Sequence, residues 1–269
     1  MSIAYLQEPG TTLGDLMIFA QKLGVDGIDF VQPRSHGLSM SELRKICLDN
    51  GIQPVCSTVF NSAADPGMTK EAWLENTRRI IDDAAELDTG KIMLPTSGRK
   101  GLSREECRKL WLELLAKAVE MGEACGIAVS IESYVVDMEW SPFISSQDIL
   151  EGIRQVPNLK VTFDSGNHFL AEDVVEAYRR LAPHIVHVHL KDWERLPSLE
   201  EKSLLMGDGH FYRMVPIGRG LVDNRSLLRI MEQDGLSLYY DLEYSGLVPA
   251  PEGIRFSRQF LTGIFQYQS

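Results

Sequence analysis

Short β-branched runs alternate with longer amphipathic stretches from one end of the chain to the other, and this alternation constrains the fold more than any other feature. Strand patterns are predicted at 3–6, 25–31, 52–60, 91–94, 127–132, 160–164, 185–190 and 236–243. Helical patterns lie between them at 12–23, 40–50, 70–87, 104–125, 147–154, 173–181 and 224–234, and a last one runs over 252–265. The first has apolar Leu13, Leu16, Met17, Ala20 and Leu23 on one face. Ser39 with Glu42, and Ser103 with Glu106, have the spacing of a capping box that opens a helix. Eight strand-helix units without a linker predict one domain over residues 1–269. The expected fold is an α/β structure with the strands closed into a (β/α)8 TIM barrel, which typically takes about 250 residues.

In such a barrel the reacting groups sit where the strands end. The run Ile185 to Leu190 is apolar and β-branched but leads into His189, Lys191 and Asp192, which are groups that cores avoid. Glu132, Asp164 and Glu243 end three further strand patterns. Four such ends on consecutive staves would bring three carboxylates and an imidazole onto one rim, where like charges repel. A divalent cation between them removes that repulsion. A set rich in oxygen with one nitrogen suits Mn²⁺ or Mg²⁺ best, and Co²⁺ or Zn²⁺ less selectively. His187 points to the same side of its strand as His189, one layer deeper, and is expected to support rather than ligate. Asp241 stands in the same relation to Glu243 and is expected to partner it. Lys191 and Asp192 either face substrate or pair with each other.

The net charge of -11 argues against nucleic acid, whose binding relies on neutralising phosphates with Lys and Arg. No apolar run approaches the roughly 20 residues of a membrane span, so no membrane association is expected. Cys47, Cys56, Cys107 and Cys125 are scattered, which fits free thiols in a reducing compartment. The first residues, MSIAYLQEPG, have neither a basic start nor a long apolar run, and a cytoplasmic location is expected. The connection 193–220 is long and rich in Gly and charge, as functional loops and lids are.

Five strings taken together resemble the sugar isomerase/epimerase superfamily of xylose-isomerase-like barrels. They are Ile131-Glu132-Ser133, Phe163-Asp164-Ser165-Gly166-Asn167, Val188-His189-Leu190-Lys191-Asp192, Val215-Pro216-Ile217-Gly218-Arg219-Gly220 and Leu242-Glu243-Tyr244. The superfamily holds ketose 3-epimerases, inosose dehydratases, hydroxypyruvate isomerases and endonuclease IV. The resemblance implies Glu132, Asp164, His189 and Glu243 as metal ligands, with Glu132 and Glu243 also the acid/base pair. It implies Arg213 as a contact to substrate oxygens. Asn167 stands where the epimerases carry a substrate-binding histidine, with His168 one place later. Met138, between Asp137 and Glu139, stands where they carry a second glutamate.

The expected activity is therefore metal-dependent isomerisation or epimerisation of a small sugar or polyol ketone, phosphorylated or not, through an enediolate. Asn167, His168, Lys191 and Arg213 are expected to orient hydroxyls, and Trp193, Trp140 and Phe60 to supply apolar walls. Dehydration of an inosose-type keto-polyol is the alternative. Endonuclease-IV-like hydrolysis would need further histidines, and among the ends of the early strands only His36 is of that kind. A non-catalytic sugar-binding barrel is a fourth reading. Homodimers or homotetramers are usual among proteins that look like this.

Overall fold

The computed structural model describes residues 11–265 apart from 64, 66 and 137, together with the backbone but not the side chain of Phe265. Among the described residues, seven parallel strands form one sheet: β1 (Gly27–Val31), β2 (Gln53–Thr58), β3 (Lys91–Met93), β4 (Ala128–Ile131), β5 (Lys160–Asp164), β6 (Ile185–Leu190) and β10 (Tyr240–Leu242), paired in that order. The sheet curls into a nearly closed cylinder. Asp29 on β1, at one end of the strand order, meets histidines of β6, next to the other end, across the interior. The strand expected at 3–6 lies outside the described residues. The α/β TIM barrel architecture anticipated from the alternation is the one found.

The helices form where their sequence signals place them. α1 (Leu13–Leu23), α2 (Met40–Asp49), α4 (Arg104–Ala124) and α5 (Ser146–Gln155) open on reciprocal capping boxes from Thr12, Ser39, Ser103 and Ser145. α3 (Lys70–Leu87) lies against α4 through Trp73 and Trp111, whose rings meet edge to face at 5.9 Å. α7 (Val174–Leu181), α8 (Asn224–Gln233) and α9 (Ala250–Phe265) complete the outer layer. Strand side chains such as Ile28, Ile92, Ile131, Phe163 and Val188 are buried. Each such burial is worth about 1.5–3 kcal/mol, so the core holds the strand ends in fixed positions.

Two expectations are corrected. The connection 193–220 is not an irregular loop. It carries a three-stranded antiparallel sheet, β7 (Trp193–Leu196), β8 (Ser203–Leu205) and β9 (Phe211–Met214), in the order β7-β9-β8. An additional helix, α6 (Ser165–Ala171), follows β5 before α7 begins. Of the free cysteines, Cys125 is exposed and the other three are buried.

Candidate metal centre at the strand ends

Strand order and register assemble the cluster. Asp164, the last residue of β5, is level with His189 of β6, and His189 is level with Asp241 of β10. Glu132 follows β4 directly. Glu243 follows β10 and extends its ladder, the Glu243 N–H donating to Leu190 O at 3.1 Å. His189 Nδ1 lies 3.3 Å from Glu243 Oε2, 3.4 Å from Glu132 Oε2 and 4.0 Å from Asp164 Oδ2. Glu132, Asp164 and His189 offer ligand atoms within 4.8 Å of one another.

Below this cluster lies a fourth carboxylate that the sequence reading passed over. Asp29 Oδ2 accepts from Thr58 Oγ1 at 2.9 Å and faces Nε2 of both His187 and His189 at 3.1 Å. A carboxylate oxygen has no proton to give, so both Nε2 atoms carry theirs and His189 Nδ1 is left to face the three upper carboxylates. Metal-binding histidines are oriented in this way by a carboxylate behind the ring. The signal was available: an aspartate in the middle of a buried apolar strand is rare without a partner. His187 is thus a neighbour of Asp29, and Asp241 is grouped with Asp29 and His189.

Lys191 completes the cluster. It is buried, and its Nζ donates to Asp164 Oδ2 at 2.6 Å and lies 3.0 Å from Glu243 Oε1. Burial alone would lower the lysine, but Asp164, Glu243 and Glu132 outweigh it and hold its pKa well above the ordinary value. Burial pushes Asp164 up to about 6, with Lys191 opposing. Burial also works against a charge on Glu243, yet Lys191 and His189 bring it down to about 2. For His189 the burial penalty is overcome by Asp29, Glu132 and Glu243, which raise it well above a free imidazole.

The donor set fits a divalent cation. Glu132 Oε2 and His189 Nδ1 are buried and point into the cluster, where neither makes a well-formed hydrogen bond among the described residues and they face each other at 3.4 Å, with Glu243 Oε2 3.3 Å from the same Nδ1. Ligand atoms held only by such loose charge pairs are free to turn to a cation. Asp164 divides its oxygens: Oδ1 accepts from the Asn167 N–H at 2.9 Å and caps α6, while Oδ2 faces the cluster.

The remaining predicted residues are placed as follows. Asn167 is beside the cluster and donates from Nδ2 to Ser133 O at 2.8 Å, tying α6 to the segment after Glu132. His168 has its contacts elsewhere, with its ring stacked on Phe163 and Nδ1 3.2 Å from Glu172 Oε1. Arg213 lies on β9 and is held by Glu194 at 2.7 Å and Glu200 at 3.2 Å. Trp193 is buried in a small cluster with Met206, Tyr212 and Val222. Phe60 is exposed. Asp192 neither pairs with Lys191 nor joins the cluster. Its carboxylate accepts from the backbone N–H groups of Trp193, Gly218 and Gly220 at 2.9 Å and of Val222 at 3.0 Å.

Residues 18–263 match the xylose isomerase-like TIM barrel family. The chain belongs to that family. No curated protein matches the sequence. Among solved structures, the probable 3-DHS dehydratase AsbF of Bacillus anthracis is similar at 17% identity and a TM-score of 0.79, covering 97% of each chain. The IOLI protein, solved with a bound zinc atom, matches at 16% identity and a TM-score of 0.79, over 100% of this chain and 98% of that one. D-psicose 3-epimerase from Clostridium cellulolyticum H10, solved with D-tagatose, matches at 16% identity and a TM-score of 0.75, over 99% and 97%. At these identities the likeness is one of fold. Among the described residues, no helix is long and apolar enough to cross a membrane.

Proposed function

We propose that this barrel is a divalent-metal-dependent isomerase or epimerase of a small sugar or polyol ketone. The reading rests on one observation: three consecutive strand ends and the next stave bring Glu132, Asp164, His189 and Glu243 together, with Glu132 Oε2 and His189 Nδ1 buried and facing each other at 3.4 Å. Those four residues would hold the ion, Mn²⁺ or Mg²⁺ by the hardness of the donors. When bound, it supplies Lewis-acid polarisation of a carbonyl.

The chain's own residues do the rest. Glu132 and Glu243 stand on either side of His189 Nδ1. One carboxylate takes the proton from the carbon beside the carbonyl, and the other returns a proton to the opposite face or the adjacent carbon. Asp29 fixes the His189 ring, so the donor set keeps its shape through the cycle. The buried Lys191 ammonium places positive charge where an enediolate oxygen develops its negative charge. The AsbF likeness keeps the lyase alternative in the test, since the same proton removal followed by loss of a β-hydroxyl gives dehydration.

The test is a screen of ketoses, inososes and their phosphates in D₂O with Mn²⁺ present. Isomerisation or epimerisation leaves the product mass unchanged except for deuterium taken up at carbon, whereas dehydration removes a water. In the active pair, Glu132→Gln is expected to lower turnover by roughly 10³-fold while metal is still bound, because general acid-base catalysis contributes about 10²–10⁴-fold. Full activity in Glu132→Gln would remove the acid/base assignment.

A further inference from the structure

We infer that Lys191 is an internal counter-cation that competes with the divalent ion for Asp164 and thereby sets the metal affinity of the site. The inference rests on the metal reading above and goes beyond it, since the ligands alone leave the lysine unexplained.

The position is built for this side chain. Gly166 clears its path, because a Cβ there would lie 2.5 Å from Lys191 Cβ and 2.6 Å from the Trp193 indole nitrogen. Ser165 Oγ accepts the Lys191 N–H at 3.1 Å, and Asn224 Nδ2 donates to Lys191 O at 2.9 Å, so the backbone is clamped on both sides. The side chain then runs the same way as that of His189, two residues back on the extended chain. Lysine is seldom buried without a matching charge, and here it meets Asp164 and Glu243.

The overlap is atomic. Asp164 Oδ1 is committed to the Asn167 N–H, which leaves Oδ2 as the oxygen turned toward His189 Nδ1. That same Oδ2 accepts from the lysine at 2.6 Å. Glu243 is divided in the same manner, with Oε1 on the lysine and Oε2 toward His189. A divalent ion drawing on Asp164 Oδ2 must therefore share it with an ammonium a few ångström away, and like charges that close repel strongly in a buried site. Conversely, the three carboxylates repel one another whenever only the lysine is there to neutralise them, so its removal should loosen the metal-free protein. The lysine holds the cluster together and weakens its grip on the metal at the same time.

These two effects have opposite signs, which makes the test sharp. Chelator-stripped wild type and Lys191→Met are titrated with Mn²⁺ by calorimetry, and their melting temperatures are measured with and without Mn²⁺. The variant is expected to bind Mn²⁺ at least tenfold more tightly, to melt lower than wild type without metal, and to gain more from added metal. A purely structural lysine would give weaker binding on removal, so equal or weaker affinity in the variant overturns the inference while leaving the metal reading intact. Mn²⁺, Mg²⁺, Co²⁺ and Zn²⁺ binding to neither protein overturns both. Lys191→Gln carries the same comparison if the methionine variant is insoluble. Failure of both variants to fold in Mn²⁺-supplemented medium also overturns the inference, because the ion is expected to replace the lost charge.

Discussion

Asp164 and Asp192 are buried carboxylates on the same rim, one ending β5 and the other two residues past the end of β6, and they are satisfied in opposite ways. Asp192 has both oxygens filled by backbone N–H groups, two on each, from Trp193 and from the segment carrying Gly218, Gly220 and Val222. Asp164 keeps only Oδ1 for the backbone and turns Oδ2 to a lysine and a set of ligand atoms. A carboxylate whose lone pairs are all taken by fixed amides is a structural fastener. One that holds an oxygen back beside Glu132 and His189 atoms that make no well-formed hydrogen bond among the described residues is poised to bind. Residue type and position at a strand end are alike in the two cases, and only the accounting of partners separates them.

The largest effect expected from that contrast is at the fastener. Asp192→Ala leaves four backbone N–H donors without their acceptor, two of them on the buried Trp193 and Val222, and the loss should be roughly 3 kcal/mol in unfolding free energy, read by urea denaturation, with the antiparallel sheet losing its anchor. Gly220→Ala attacks the same joint from the other side, since its Cβ would fall 2.3 Å from Asp192 Oδ1 and 2.5 Å from Trp193 O. An Asp192→Ala protein as stable as wild type would show that the four amides find other partners and that the contrast with Asp164 is empty.

A smaller effect is expected at Asp29, which belongs to both categories. Its Oδ2 is filled by Thr58, His187 and His189, yet one of those partners is the candidate ligand histidine. Asp29→Asn keeps the shape and weakens the hold on the His189 ring. Mn²⁺ affinity should fall about 10–100-fold, which is the usual cost of removing a carboxylate behind a ligand histidine. Unchanged affinity in a titration would reduce Asp29 to a core polar group.

The same accounting explains what could be read in the chain. Strand ends were legible because β-branched runs stop abruptly at Glu132, Asp164 and Glu243, and the strand periodicity then puts Lys191 on the side of His189. The hairpins inside 193–220 were not, because strands of three or four residues are too short for alternation to stand out. Arg213 shows the cost of that: on β9 it faces Glu194 of β7 in register, a pairing visible only once the antiparallel sheet is known. α6 was hidden by Gly166 and by the fact that its cap, Asp164, was already assigned to the cluster. His168 was drawn toward substrate by its neighbour Asn167, but a helical turn places it against Phe163 and Glu172.

Glu172, the residue that holds His168, gives the finest test of the distinction. Its carboxylate takes the Ser146 N–H, the Ser146 hydroxyl at 2.8 Å and the Arg180 guanidinium at 3.0 Å, with His168 at 3.2 Å, so it falls with Asp192 among the fasteners. Burial opposes its charge, but His168 and Ser146 outweigh that and bring its pKa from 4.5 to about 2. The folded value lies below the unfolded one, so its contribution is complete above about pH 4.5 and is lost as the pH falls toward 2. Glu172→Gln should therefore cost roughly 1–2 kcal/mol at pH 7. The gap between wild type and variant should stay level down to about pH 5 and then narrow with further acid, as read from urea midpoints at a series of pH values. A gap that widens in acid would mean that the carboxylate is held protonated in the fold, and Glu172 would move to the side of Asp164.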